Sequence, residues 1–302
     1  CRPVLVCVRR LIERRTHTRT HLAPSLGVVV ALRSGRPDAR MGDVTEPSAD
    51  WERHAGWWQE LFTDGADPEY EEQILPLAAA LLGPPSAHGA PGARSAARRR
   101  VLGVGCGEGQ VARRLAACDH DPDVVGIDPS AAQTRAAIER GGGPTYARGE
   151  AAALPFPDAS VDDAIACLVF EHIDDVDGAI AEIARVLVDG GRFVLMLNHP
   201  LLQTPGSGWI DDQVLDPPEQ YWRVGPYLPE DATLEEVAKD VHIRFVHRPL
   251  SRYVNALASA GLGIASMHEP APPPGFLARA PEYPDAAAIP RLLVLVTERR
   301  AR

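Results

Sequence analysis

Four glycines at alternate positions, Gly103, Gly105, Gly107 and Gly109, lie in VLGVGCGEG (101–109), between a short apolar run and a helical pattern that begins at Gln110. Such glycines let the backbone approach a ligand closely, and the unpaired N–H groups of the next helix's first turn point at it. The chemistry this suits is the holding of something small and polar. Nineteen residues after Gly109, Asp128 closes the apolar run VVGID. In nucleotide-binding α/β units a carboxylate at that place takes the ribose hydroxyls. Two imidazoles, His172 in FEHIDD and His199 in NHP, are candidates for moving a proton near neutral pH.

Spacing narrows the ligand. A dinucleotide loop needs G-x-G-x-x-G, but the sixth position is Glu108 counting from Gly103 and Gln110 counting from Gly105. A phosphate-cradling P-loop needs Gly-Lys-Ser/Thr, and the chain has one lysine, Lys239. What remains, G-x-G-x-G, resembles the first motif of class I S-adenosylmethionine (SAM)-dependent methyltransferases. GEAAALPFPDASVDDAIACLVFEHIDD (149–175) and LVDGGRFVLMLNHP (187–200) are similar, in the same order, to later segments of the type 11, UbiE-like members of that class.

The resemblance implies SAM as cofactor and assigns roles residue by residue. Gly103, Gly105, Cys106, Gly107 and Gly109 would line its methionine side, and Asp128 with Pro129 its ribose. Glu150 and the Ala151 backbone would face the adenine, and Cys167 or Leu168 would border the cofactor. Two positions depart from the family: Gly103 stands where an acidic residue usually helps hold the methionine amino group, and Glu150 replaces an aspartate. The family specifies no catalytic residue, so His172 and His199 stay as alternatives. Glu171 reads as a solvated residue or a local cap. No metal site is expected.

These residues must be positioned by alternating strands and helices. The patterns predict a strand up to the glycine loop, a helix at 110–117, strands at 124–127, 145–148, 162–168 and 192–198, and helices at 130–140 and 176–188. Glycines 141–143 stop the second helix. The fold class is α/β, a Rossmann-like sheet, mostly parallel, with helices on both faces; the resemblance makes it seven-stranded, with RLLVLVTER (291–299) as its antiparallel strand. A helix is predicted in 247–262, and no regular structure in 267–275 past Glu269. Ligands in such sheets sit beyond the carboxyl ends of the strands.

Around the 101–302 methyltransferase domain lie other segments. Residues 41–82 hold two amphipathic patterns, which the resemblance makes lid helices. Trp57, Trp58 or Tyr70 then faces the site, unless they simply pack on the sheet. Residues 83–100 read as a linker. The stretch 200–249 is too long for a connector, and the resemblance makes it a substrate lid. Its Trp209, Tyr221, Trp222 and Tyr227 predict an apolar or cation-holding pocket. Acidic residues around them favour a neutral or cationic small-molecule substrate.

Composition excludes several classes. Residues 1–40 carry nine arginines against Glu13 and Asp38, a net of +7, so the remainder of a chain of net charge −10 is near −17. The Arg-rich stretch is expected to be a disordered extension outside the fold, with a targeting peptide or a nucleic-acid arm as alternatives. The acidic remainder opposes a polyanionic substrate. No run reaches the ~18 apolar residues of a membrane helix, and five cysteines without C-x-x-C spacing indicate neither a disulfide framework nor a zinc site. The protein is expected to be cytoplasmic, transferring methyl from SAM to an O, N or C nucleophile. The alternatives are a SAM or nucleoside binder without catalysis and, behind it, an NAD-dependent oxidoreductase.

Overall fold

A computed structural model describes residues 47–83, 98–214, 216–217, 219–279 and 281–301. The expectations for residues 1–40, and for most of the linker 83–100, fall outside the described residues.

The apolar run before the glycine loop is β1 (Arg100–Val104), with four of its five residues buried. It is followed by β2 (Asp123–Asp128), β3 (Thr145–Arg148), β4 (Val161–Cys167) and β5 (Leu187–Asn198). Two hairpin pairs come next, β6 (Gly208–Asp212) with β7 (Glu219–Arg223) and β8 (Asp231–Ala238) with β9 (Val241–His247); then come β10 (Leu262–His268) and β11 (Leu292–Arg299). The main sheet has seven strands in the order β10-β11-β5-β4-β1-β2-β3. Strands β1 to β5 are mutually parallel, while β11 runs antiparallel to both of its neighbours. This is the predicted architecture.

The helices are α1 (Pro47–Arg53), α2 (Ala55–Phe62), a π-helical turn over Tyr70–Ile74 running into α3 (Leu75–Leu81), α4 (Gln110–Ala116), α5 (Ala131–Arg140), α6 (Val176–Val186), α7 (Pro200–Gln203), α8 (Leu250–Ser259) and α9 (Pro274–Leu277). Alternation along β5 divides the core between the two faces of the sheet. Phe193, Leu195 and Leu197 pack with Ile180 and Ile183 of α6 and Leu257 of α8. Val194 and Met196 pack with Ile74, Ala78 and Leu115 on the opposite face. Each fully buried side chain of this kind contributes roughly 1.5–3 kcal/mol.

Three local expectations change. Strand β5 begins at Leu187, five residues before the predicted start, because α6 stops at Val186 and Leu187 is already extended and buried. The 200–249 stretch folds into α7 and two hairpins that its sequence pattern did not predict. One helical turn, α9, forms within the proline run, where Pro274 stands in the first turn and gives up no hydrogen bond. Below the sheet, Asp163 pairs with Arg99 and Arg192. Those arginines donate to the carbonyls of Leu81, Leu82 and Gly83 and so tie the end of α3 to the strands.

Candidate active site

A cavity of about 400 Å³ opens at the carboxyl ends of β1, β2 and β4. That size is ordinary for a small-molecule or cofactor site. Its floor is main chain from Gly103 to Glu108. Gly105 and Gly107 have φ of 63° and 54°, conformations that favour glycine. A Cβ on Gly105 would stand 2.5 Å from Val169 Cγ1, whereas one on Gly107 would meet nothing within 4 Å. The loop therefore presents bare backbone to open space at Gly107.

Asp128 forms one wall. Its carboxylate accepts from the Gly107 N–H at 2.8 Å and the Ser130 N–H at 2.9 Å, and it is buried. Burial raises its pKa from 3.8 to about 6, helped by nearby Glu150 and Glu52 and opposed by the two N–H donors. Pro129, Glu150, Ala151, Cys106, Cys167 and Leu168 line the same cavity. Leu168, directly after β4, adopts φ 55°, which costs a non-glycine residue roughly 1–2 kcal/mol; such strain gathers at functional sites. Burial pushes the Cys106 and Cys167 thiols upward, so both stay protonated. Gly109 does not reach the cavity, because its N–H turns back to the Cys106 carbonyl at 2.9 Å and Tyr146 packs over it.

Helices α1 and α2 cover the opening through polar links. Glu52 accepts from the Ser130 hydroxyl at 2.6 Å and the Ala132 N–H at 3.0 Å, Gln59 donates to Gln133 at 2.9 Å, and Gln110 donates to the Phe62 carbonyl at 3.2 Å. The Ser130 bond, with that from Ala132 N–H, draws the Glu52 pKa down.

A second cavity, of about 70 Å³, lies between these helices and the β8–β9 hairpin. Trp51, Trp58, Tyr70, Leu168 and His172 line both cavities, so the two meet there. Trp57, Phe62, Phe245 and Phe276 complete an aromatic wall. At one end Glu69 binds Arg291 through two hydrogen bonds of 3.1 and 2.9 Å, and Asp67 binds Arg279 at 3.2 Å.

His172 sits where the cavities join. Its Nδ1 is 2.9 Å from the Arg244 carbonyl, so in the neutral ring Nδ1–H donates and Nε2 keeps its lone pair. Burial lowers its pKa from 6.5 to about 4. Trp51 and Phe245 hold the ring at centroid distances of 4.9 and 4.7 Å. Arg248, buried, donates to the carbonyls of Phe170, Ile173 and Asp174 and so clamps the turn that carries His172. Glu171 is not solvated as expected: it is 2% exposed, accepts from the Asn198 N–H at 2.6 Å, and burial lifts its pKa to about 7.

His199, the other candidate base, is not brought to the site. It lines neither cavity, its Nε2 is 2.7 Å from a Glu269 oxygen, and its Nδ1 accepts from the Leu201 N–H at 3.2 Å as the cap of α7. Both nitrogens are used in holding the chain together.

The aromatics of the 200–249 stretch also depart from expectation. Trp209 and Trp222 pack with Tyr283, Tyr221 is exposed, and the Tyr227 hydroxyl accepts from the Leu250 N–H. None of the four lines either cavity. The hairpin supplies Val237, Ile243 and Phe245 instead. Of the sequence candidates, Gly103, Gly105, Cys106, Gly107, Asp128, Pro129, Glu150, Ala151, Cys167, Leu168 and His172 meet in one place. Trp51 reads in sequence only as part of the first amphipathic pattern, and nothing local marks Phe245, Arg248, Arg279 or Arg291. Among the described residues no group of three or more His, Cys, Asp or Glu could hold a metal ion, and no helix is long and apolar enough to cross a membrane.

A seven-stranded, mostly parallel sheet with a glycine loop after its first strand and a carboxylate after its second defines a class I methyltransferase fold. Residues 102–195 match the family described as Methyltransferase domain. Over 121 residues the chain is 36% identical to a probable S-adenosylmethionine-dependent methyltransferase of Mycolicibacterium smegmatis, covering 38% of this chain and 44% of that protein. It is 37% identical over 107 residues to the ubiquinone/menaquinone biosynthesis C-methyltransferase UbiE of Caulobacter sp., covering 32% of this chain and 42% of that one. The crystal structure of an S-adenosylmethionine-dependent methyltransferase from Mesorhizobium loti superposes with a TM-score of 0.58 at 26% identity, covering 66% of this chain and 90% of the other. The chain thus spans less than half the length of these curated relatives. The chain has the class I methyltransferase fold, and its residues 102–195 are similar to the methyltransferase domain of proteins named as S-adenosylmethionine-dependent.

Proposed function

We propose that the chain transfers the methyl group of SAM to an O, N or C nucleophile of a small molecule, with the larger cavity as cofactor site and the smaller as acceptor site. The observation that carries this is the junction: Trp51, Trp58, Tyr70, Leu168 and His172 border both cavities, so two ligands can meet without bulk water between them. When bound, SAM supplies a methyl group already activated by its sulfonium.

The chain's own tasks are then alignment and the exclusion of water, which together can supply ~7–11 kcal/mol of the barrier. The loop from Gly103 to Gly107 takes the methionine side, and Asp128 accepts from the ribose hydroxyls. Glu150 and the Ala151 backbone face the adenine, while Cys167 and Leu168 border the methyl-bearing end. His172 takes a proton at Nε2 from an acceptor that must lose one. Helices α1 and α2 act as the lid of the 101–302 domain. An apolar acceptor wall and the acidic balance of residues 41–302 favour a small molecule over nucleic acid. Among the described residues Cys106, Cys118 and Cys167 are free, which suits a reducing cytoplasm.

A binder without catalysis has one specific argument, the missing carboxylate at Gly103. The test is calorimetric titration of the full chain with SAM, S-adenosylhomocysteine and NAD, repeated on Asp128→Ala. Micromolar binding of SAM and its product, weakened in the variant and absent for NAD, is expected. A folded wild-type chain that binds neither SAM nor S-adenosylhomocysteine sinks the proposal.

A further inference from the structure

Resting on that reading, we propose that the smaller chamber selects a neutral, single-ring aromatic alcohol, a phenol, and discriminates against the same ring carrying a carboxylate or an ammonium group. The chamber's size limits it to a compact group, since its 70 Å³ is a small fraction of the neighbouring cleft. Much of its wall is aromatic, with Leu168, Val237 and Ile243 between the rings, which favours a planar apolar guest, and its polar lining is Asn198 with the paired Asp67, Glu69, Arg279 and Arg291.

Charge decides the rest. Both guanidinium groups that line the chamber are already matched, Arg291 by Glu69 and Arg279 by Asp67. An incoming carboxylate would have to pull a guanidinium from a buried partner, leaving an uncompensated charge. An ammonium finds Glu69 engaged through both oxygens and Asp67 through Oδ1 by Arg279, and the Phe276 ring already carries the Arg291 guanidinium 4.3 Å from its centroid. A neutral ring disturbs neither pair.

His172 fixes where the reacting atom lies. With Nδ1–H held by the Arg244 carbonyl, and with no protein partner at Nε2 among the described residues, the free lone pair calls for an acceptor that donates. A phenolic O–H does so. In the transfer an oxygen lone pair forms the O–CH₃ bond as the S–CH₃ bond breaks, and the sulfur keeps that bond's electron pair as a neutral thioether. The hydroxyl proton passes to Nε2, so the positive charge moves from sulfonium to imidazolium and leaves with a proton to solvent. A weak base suffices, because the O–H grows more acidic as the new bond forms.

Three para-substituted phenols, neutral, anionic and cationic, test this on the full chain: p-cresol, 4-hydroxybenzoate and tyramine, with 4-ethylphenol as the neutral control for the length of tyramine. Two readouts are used, methyl transfer with SAM and quenching of tryptophan fluorescence, since Trp51, Trp57 and Trp58 line the chamber. The expected result is p-cresol binding and turnover with KM at least tenfold below the two charged phenols. Val237→Phe, which narrows the chamber, should raise the p-cresol KM tenfold or more while S-adenosylhomocysteine binds within twofold of wild type; Phe245→Ala, which enlarges it, should admit 2-naphthol. Preference for tyramine or 4-hydroxybenzoate overturns the proposal, as does a p-cresol KM untouched in both variants, or no quenching by any of the three. Failure of S-adenosylhomocysteine to bind would instead defeat the methyl-transfer reading, and quenching by p-cresol against its charged counterparts would still decide the chamber.

Discussion

The two cavities that meet at His172 are built from different material. The larger is lined by short contiguous stretches at the ends of neighbouring strands, 103–108, 128–129, 149–152 and 167–169, and much of what it offers is backbone. The smaller is assembled from side chains of α1, α2, the turn after β4, the β8–β9 hairpin and the region of α9, as far apart in sequence as Trp51 and Arg291. Backbone geometry tolerates wide change in sequence so long as its glycines remain. A wall of side chains changes with each residue. One scaffold can therefore keep its cofactor while its acceptor varies.

The comparison breaks most sharply at the residue the cavities share. His172→Ala should lower kcat by about a hundredfold or more, the scale of general-base catalysis, with S-adenosylhomocysteine affinity unchanged. A merely structural histidine would alter both. Its pKa of about 4 also predicts that kcat/KM for the acceptor, measured at saturating SAM, stays level from pH 8 to about 5 and falls only near pH 4. The groups facing the ring are the Arg244 carbonyl, the uncharged Trp51 and Phe245, and the Arg244 guanidinium, which Asp174 neutralises. Since the folded pKa lies below the unfolded 6.5, the unfolded chain binds more protons between these values, and stability declines as pH falls through that window.

Asp128→Ala tests the cofactor half alone. Loss of charge-assisted hydrogen bonds worth ~1.5–3 kcal/mol should weaken S-adenosylhomocysteine binding ten- to a hundredfold, while p-cresol quenching stays as in wild type. Affinity in the wild type should also decline below pH 6, where this carboxyl, facing Glu52, Glu150 and the N–H groups of Gly107 and Ser130, takes up a proton and stops accepting from the ribose. Calorimetry at pH 5, 6 and 7.5 would reveal a flat profile if another group holds the ribose.

Smaller effects belong to the lid and to the departure at Gly103. Glu52→Ala removes the link from α1 to the start of α5, and the cofactor product should dissociate about fivefold faster, as expected for a net ~1 kcal/mol of hydrogen bonding; stopped-flow displacement would measure it. Gly103→Asp asks whether the missing acid can be restored. Its Cβ would meet Cys106 Cβ at 3.6 Å, an ordinary contact, so the carboxylate should be accommodated and raise SAM affinity a few-fold. Lower affinity in a folded variant would show that the loop has adapted to glycine.

Legibility followed the same division. Asp128 could be read because a strand must end before a ligand-binding turn, and VVGID shows the ending. His199 looked equally promising after β5, yet its nitrogens serve Glu269 and Leu201, partners that no local pattern displays. The tryptophans and tyrosines of 200–249 were visible as a cluster but pack elsewhere, because hairpin register decides which face they take. Phe245, an unremarked position in IRF, faces His172 for the same reason.

By itself the sequence determined the sheet, its helices and the glycine loop, because periodic apolar runs and glycine conformations act over a few neighbouring residues. Only the tertiary structure decided the smaller chamber, the His172 Nε2 left without a protein partner among the described residues, and the paired charges of Asp67, Glu69, Arg279 and Arg291. Burial and hydrogen-bond pairing between distant segments are properties of packing, and no local window of the chain contains them.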